Sequence, residues 1–222
     1  MIRSEIIRLL LRVTHKLIPK LKVYFKYEGL NLIIPHTIFN PTFTLSTTLI
    51  LSNVKPHGNV LDLGCGSGVI AIYIAKHFKD VVKVYAYDVS PLAIATTKIN
   101  AKLNNVEDRV CILTNLKGLK VMMDYVILNP PYLPIEPKDV LDLNWCAGRD
   151  LRILFNMIRS SLKLLRTGGK VFLTISSVTN PTYVINKLRF MNITTKVITC
   201  IPTPLDKVCL IAGIKLGSNN IT

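Results

Sequence analysis

Val60-Leu61-Asp62-Leu63-Gly64-Cys65-Gly66-Ser67-Gly68 is the stretch whose pattern decides the fold. An apolar run leads into three glycines at alternate positions, and apolar residues resume from Val69 to about His77. That order spells a buried strand, a tight turn and a helix. Glycine takes φ > 0 without steric cost and lets backbone come close to a ligand. The spacing is G-x-G-x-G. It is neither the G-x-G-x-x-G dinucleotide fingerprint nor a phosphate loop, which would continue into G-K-[ST]. Alone, the loop is a weak signal.

The alternation repeats downstream. Lys83–Tyr87 reads as a second strand closed by Asp88, and Pro91 opens a helix that runs to about Leu103. An acid at that strand end can accept both hydroxyls of a ribose. Arg109–Leu113 and Asp124–Leu128 predict strands three and four. Leu151–Leu165 predicts a helix stopped by Gly168-Gly169, followed by a strand at Lys170–Ser176 and a helix at Thr182–Arg189. Thr194–Cys200 and Lys207–Ile214 are the last two strands. Only Pro202-Thr203-Pro204-Leu205-Asp206 joins them, which permits an antiparallel pair and no crossover helix. The expected fold is α/β: a seven-stranded, mostly parallel sheet with one antiparallel edge strand and helices on both faces.

Asn129-Pro130-Pro131-Tyr132 follows the apolar run Tyr125–Leu128, so it sits where a buried strand gives way to the long loop 129–148. In open α/β sheets, ligands bind outside the carboxyl ends of the strands. Two prolines remove two backbone donors, leaving the carbonyls of Asn129 and Pro130 free to accept. Asn129 adds a side-chain oxygen and Tyr132 a ring with a polar tip. Such a pocket suits a planar group carrying an NH2. Asn129, Pro130 and Tyr132 are the expected catalytic set. Asp62, just before the glycine loop, is placed to orient that loop or to meet an amino group. His36, His57 and His77 lack acidic partners and read as structural or solvated. Trp145 reads as an anchor for the long loop, and Arg149 with Asp150 as a mutual pair.

Upstream, Ile6, Ile7, Leu10, Leu11, Val13, Leu17 and Ile18 alternate with Arg3, Arg8, Arg12 and Lys16, a basic amphipathic helix over 3–18 ending near Pro19. Lys22–Tyr27 and Leu30–Pro35 flank Glu28-Gly29 as a hairpin. Residues 1–35 are expected to form an appendage and residues 36–222 the catalytic domain.

The chain has 222 residues, half of them apolar, enough for a sizeable core. Its formal charge of +15 calls for an anionic partner, with RNA, a ribosome-associated protein or an acidic subunit as the choices. No run approaches eighteen consecutive apolar residues, so no membrane span and a cytoplasmic location are expected. Cys65, Cys111, Cys146, Cys200 and Cys209 are scattered, which argues against a disulfide framework and a metal site and for small core residues.

Taken together, these motifs resemble a known group. Asp62–Gly68 is similar to motif I of class I S-adenosylmethionine-dependent methyltransferases, Asp88 to their ribose-binding acid, and Asn129–Tyr132 to the motif of their amino-methylating branch. Asn129-Pro-Pro-Tyr-Leu-Pro134, Trp145-Cys-Ala-Gly-Arg-Asp150 and Leu164-Leu-Arg-Thr-Gly-Gly-Lys170 further resemble the archaeal and eukaryotic HemK-like subfamily. Those enzymes methylate the glutamine of the Gly-Gly-Gln motif in class I translation termination (release) factors. The resemblance implies S-adenosylmethionine as cofactor, held by Thr44, Asp62, Gly64, Cys65, Gly66, Gly68, Asp88, Val89, Asn115 and Asn129. It also implies a small zinc-binding activator subunit along an edge strand. Relatives carry an acidic segment where this chain reads Thr42-Phe43-Thr44, and often an aspartate in place of Asn115. Rival acceptors are a nucleobase amine (adenine N6 or guanine N2) and a protein lysine.

Overall fold

A computed structural model describes residues 2–17 and 23–217, without the side chains of residues 16 and 17. The expected helix end near Pro19 and the strand start at Lys22 lie outside the described residues. The elements are α1 (Ile2–Leu17), β1 (Tyr24–Tyr27), β2 (Leu30–Ile33), α2 (Ser46–Asn53), β3 (Gly58–Leu63), α3 (Val69–His77), β4 (Val81–Tyr87) and α4 (Pro91–Leu103). Then come β5 (Val110–Leu113), β6 (Met123–Leu128), α5 (Arg152–Leu164), β7 (Leu165–Ser176), α6 (Pro181–Phe190), β8 (Ile193–Pro202) and β9 (Lys207–Lys215).

Seven strands form one sheet in the order β5-β4-β3-β6-β7-β9-β8. Pairings from β5 through β7 are parallel; β9 runs antiparallel to both β7 and β8. The expected mostly parallel sheet is present, with the antiparallel strand one place in from the margin. Val60–Leu63 of β3 and Tyr125–Leu128 of β6 are buried on both faces, as parallel strands covered by helices require. Alternation then sorts their side chains: Val60, Tyr125 and Ile127 pack with α2, α3, α4 and the hairpin. Leu61, Leu63, Val126 and Leu128 pack with α5 and α6. Two buried asparagines fasten the β1–β2 hairpin to α4. Asn104 and Asn100 each accept a backbone N–H of β2 and donate to a β2 carbonyl, at 2.7–3.0 Å.

Three local expectations are corrected. Helix α2 was not foreseen, because Ser46, Thr47 and Thr48 are poor helix formers and only Leu49–Leu51 is continuously apolar. Packing against β7 and β9 overrides propensity there. Strand β7 begins at Leu165 rather than Lys170, through a bulge opposite Met123–Tyr125. Cys200 and Cys209 form a disulfide, because the β8–β9 register sets them directly opposite each other. Scattered positions in sequence hide such a pairing.

The amphipathic helix expected over 3–18 is present as α1, but its apolar residues Ile6, Leu10 and Val13 are 44%, 52% and 44% exposed. The helix docks instead through Ser4, Arg8 and His15, which are buried, with Ile7 and Leu11 beside them. Arg8 and Arg12 both reach Asp142, which is fully buried. Leaving that carboxylate without cations would cost more than leaving three aliphatic side chains half in water. Among the described residues no helix is long and apolar enough to cross a membrane.

Candidate active site

A cavity of about 420 Å³ opens at the carboxyl ends of β3, β4 and β6. Leu63–Ser67 form one wall, Tyr87–Ser90 the next, and Asn129 with Pro131 the third. The glycine loop turns back through left-handed backbone, with φ of +82° at Gly64 and +54° at Gly66. A Cβ on Gly64 would lie 2.8 Å from the Met157 methyl, and one on Gly66 3.9 Å from Ile38; both neighbours line the same cavity. At Gly64 the Met157 methyl fills the space a side chain would take, whereas at Gly66 the backbone meets the cavity with space beside it. Gly68 differs: a Cβ there would strike Thr97, its Cα included at 3.1 Å. It serves the packing of α3 on α4 and does not line the cavity.

Asp88 fixes the loop. Its Oδ2 accepts the Gly66 N–H at 3.0 Å and its Oδ1 accepts the Ser90 N–H at 2.9 Å. Burial raises its pKa above the ordinary value, and those backbone donors oppose the shift. The backbone of Gly66, Ser90 and Val89 thus engages three of the carboxylate's lone-pair sites, which leaves one for a ligand hydroxyl. Asp62 is fully buried behind the loop; its Oδ2 accepts the Ala71 N–H at 3.0 Å, and its Oδ1 has no partner among the described residues. Burial pushes its pKa up to about 7. Cys65 lines the cavity, and its thiol contacts Thr97 Oγ1 at 3.3 Å. Burial drives its pKa well up, so it is an inert wall.

Asn129 is held at both ends of its amide. Nδ2 donates to Thr47 Oγ1 at 3.2 Å, and Oδ1 accepts from Thr174 Oγ1 at 2.7 Å. Thr47 lies on α2 and Thr174 is buried on β7, so two elements lock one side chain. An amide oxygen has two lone pairs, so Oδ1 retains one.

Of the expected site residues, the fold brings Gly64, Cys65, Gly66, Asp88, Val89 and Asn129 to the cavity wall. Thr44, Asp62, Gly68, Asn115, Pro130 and Tyr132 are not on it. Thr47 takes the place nearest Thr44, and Leu116 the place beside the exposed Asn115. Tyr132 packs between two apolar clusters. Its N–H donates to the Trp145 carbonyl and its own carbonyl accepts from Thr179 Oγ1. Burial, then the charge of Asp206, raises its pKa. Thr47, Thr174 and Met157 escaped the sequence reading, since lone threonines and methionines carry no motif.

The loop after β6 is a built wall. Leu133, Ile135, Leu141, Trp145 and Cys146 form their own apolar cluster, and its Val140, Leu143 and Asn144 face the cavity. Asp142 accepts the Lys138 N–H at 2.9 Å, which folds the loop around the carboxylate. Trp145 is 5.0 Å from the ring of His15 and anchors the loop on α1. Arg149 and Asp150 do not pair as expected: Arg152 takes Glu136 and Asp150, because the loop brings Glu136 back to the start of α5.

A family model, the methyltransferase small domain, matches residues 42–197. The chain belongs to that family. The methyltransferase is 31% identical over 196 residues to a candidate protein N5-glutamine methyltransferase of Methanocaldococcus jannaschii, covering 85% of this chain and 98% of that one. It is 33% identical over 129 residues to a release factor glutamine methyltransferase of Dictyoglomus turgidum, spanning 54% of this chain and 45% of that one. It is 40% identical over 92 residues to a ribosomal protein L11 methyltransferase of Oceanobacillus iheyensis, spanning 40% and 29%. Among solved structures, Trm5 of Methanocaldococcus jannaschii in complex with adenosine superposes with a TM-score of 0.62 at 19% identity, covering 87% of this chain and 56% of that one. S-adenosylmethionine is the cofactor of this methyltransferase. The site suits it: Gly66 meets the cavity without a side chain, and Asp88 at the end of β4 offers a carboxylate lone pair to a ligand hydroxyl.

Proposed function

We propose that this methyltransferase acts on the side-chain amide nitrogen of the glutamine in the Gly-Gly-Gln motif of a class I translation termination factor. The observation that carries the reading is the locked Asn129 amide at the cavity wall. When bound, S-adenosylmethionine supplies an electrophilic methyl group. An amide nitrogen is a poor nucleophile, because its lone pair is delocalised, so the protein must hold it at near-attack distance. Asn129 Oδ1 and the Pro130 carbonyl accept the two hydrogens of the acceptor NH2. Their negative ends then face the nitrogen as positive charge develops on it. The Pro130 carbonyl accepts no hydrogen bond from the described residues, which leaves it available. Tyr132, packed between two apolar clusters off the cavity wall, braces the loop that follows Asn129.

The relatives named for glutamine methylation support the amide, and the M. jannaschii protein does so over nearly its whole length. The second reading is an exocyclic nucleobase amine, favoured by the charge of +15. Either acceptor is compatible with an activator subunit along edge strand β5. Tritiated S-adenosylmethionine given to cell extract with the purified protein, with and without RNase, separates the two. Label in a protein of termination-factor size supports the amide; RNase-sensitive label supports the base.

A further inference from the structure

Helix α5 has two working faces. Ile153, Asn156, Met157 and Ser160 line the cofactor cavity, whereas Arg152, Phe155 and Arg159 face away from it into a second cavity of about 420 Å³, closed by α6. From α6 come Tyr183 and Lys187, with Phe190 at its end. The floor is Phe155, edge-on to Tyr183 at 5.8 Å between ring centres. Phe190 is 88% exposed and Tyr183 42% exposed. The Lys187 ammonium stands 5.6 Å from the Tyr183 ring centre. Arg159 donates only to the neutral Asn156 Oδ1, at 2.8 Å. Among the described residues neither Arg159 nor Lys187 pairs with a carboxylate, in contrast to Arg152, which holds Glu136 and Asp150.

We infer that this groove binds single-stranded nucleic acid, its bases stacking on Tyr183 and Phe190 and its phosphates meeting Lys187 and Arg159. Aromatic faces with unneutralised cations beside them match a repeating unit that is itself a flat ring joined to an anion. An acidic peptide would satisfy the cations and leave the rings in water. An apolar peptide would do the reverse. The overall charge of +15 adds long-range attraction for a polyanion. The inference goes beyond the proposed acceptor and does not depend on it, since the groove lies across α5 from the cofactor cavity.

The experiment uses the full chain and a fluorescein-labelled oligouridylate, read by polarisation over a salt series. Phe190→Ala is expected to weaken binding about tenfold, as loss of one stacked base does. Lys187→Glu and Arg159→Gln are each expected to weaken it and to lower the salt slope by about one unit. Affinity for S-adenosylhomocysteine is measured in parallel for Phe190→Ala and Lys187→Glu and should stay unchanged; both side chains are on the surface, so folding survives. Binding that falls with the charge changes but ignores Phe190→Ala is mere polyanion attraction and overturns the inference. Tight capture of an acidic peptide that displaces the oligonucleotide also overturns it.

Discussion

Arg12 Nη1 donates to Oδ1 of the buried Asp142 at 2.5 Å, while Nη2 donates to Asp139 Oδ2 at 2.7 Å. The two carboxylates hold the guanidinium's pKa above its ordinary value. One residue of the N-terminal helix thereby ties down the loop whose Val140, Leu143 and Asn144 wall the cavity. The same helix meets a second lining residue through His15, whose ring lies 5.9 Å from that of Phe39.

Arg12→Ala should therefore raise the KM for the acceptor roughly tenfold, because small misplacements of positioning groups are costly. Stability should fall by about 2–3 kcal/mol, since Asp142 keeps only Arg8 and the Lys138 N–H. Calorimetric affinity for S-adenosylmethionine should not move. A cofactor affinity that falls in step with KM would show that the helix supports the whole domain rather than one wall.

His15 gives a pH signature. Its Nδ1–H donates to the Leu11 carbonyl at 2.9 Å and its Nε2 accepts the Asn40 N–H at 3.2 Å, so the folded ring is neutral. Burial lowers its pKa. The unfolded chain takes up a proton near pH 6.5, so this stabilisation is complete above about 6.5 and is lost as pH falls below it. Asp62 acts in the opposite sense: with its folded pKa raised to about 7, stability is lost as pH rises from about 4 towards 7. The difference between wild type and His15→Phe isolates the histidine. Urea midpoints of the two should diverge on acidification below about pH 6.5, and parallel curves would remove the assignment.

Thr174→Val removes the hydroxyl that orients Asn129 while keeping the shape of the strand. Turnover should drop roughly tenfold or more, with acceptor and cofactor binding near wild type. Asp88→Ala should do the reverse, weakening S-adenosylmethionine roughly tenfold to a hundredfold by loss of a charged acceptor. Isothermal titration with steady-state kinetics on both variants tests the division, and matching profiles would refute it.

How much of this was legible in the chain follows from range. Gly64, Gly66 and Asp88 announced themselves because a loop and the next strand end meet across a short stretch of chain. Asn129 was legible because a strand end followed by two prolines constrains its own neighbours. Thr47 and Thr174 were not, since only the completed sheet brings α2 and β7 to the same amide. The docking of α1 was not legible, because amphipathic spacing shows which face is apolar but not that Asp142, in a distant loop, would be buried and draw Arg8 and Arg12 inward. Cys200 and Cys209 became a pair only once the hairpin register was set.

The most direct test of the central claim joins the purified chain, tritiated S-adenosylmethionine and a class I termination factor, with label mapped by mass spectrometry of the Gly-Gly-Gln peptide. The account predicts one methyl group on the glutamine amide. It predicts none when that glutamine is replaced by alanine, and none from Asn129→Ala enzyme that still binds the cofactor. Label on any other residue, or transfer that survives Asn129→Ala, would contradict it.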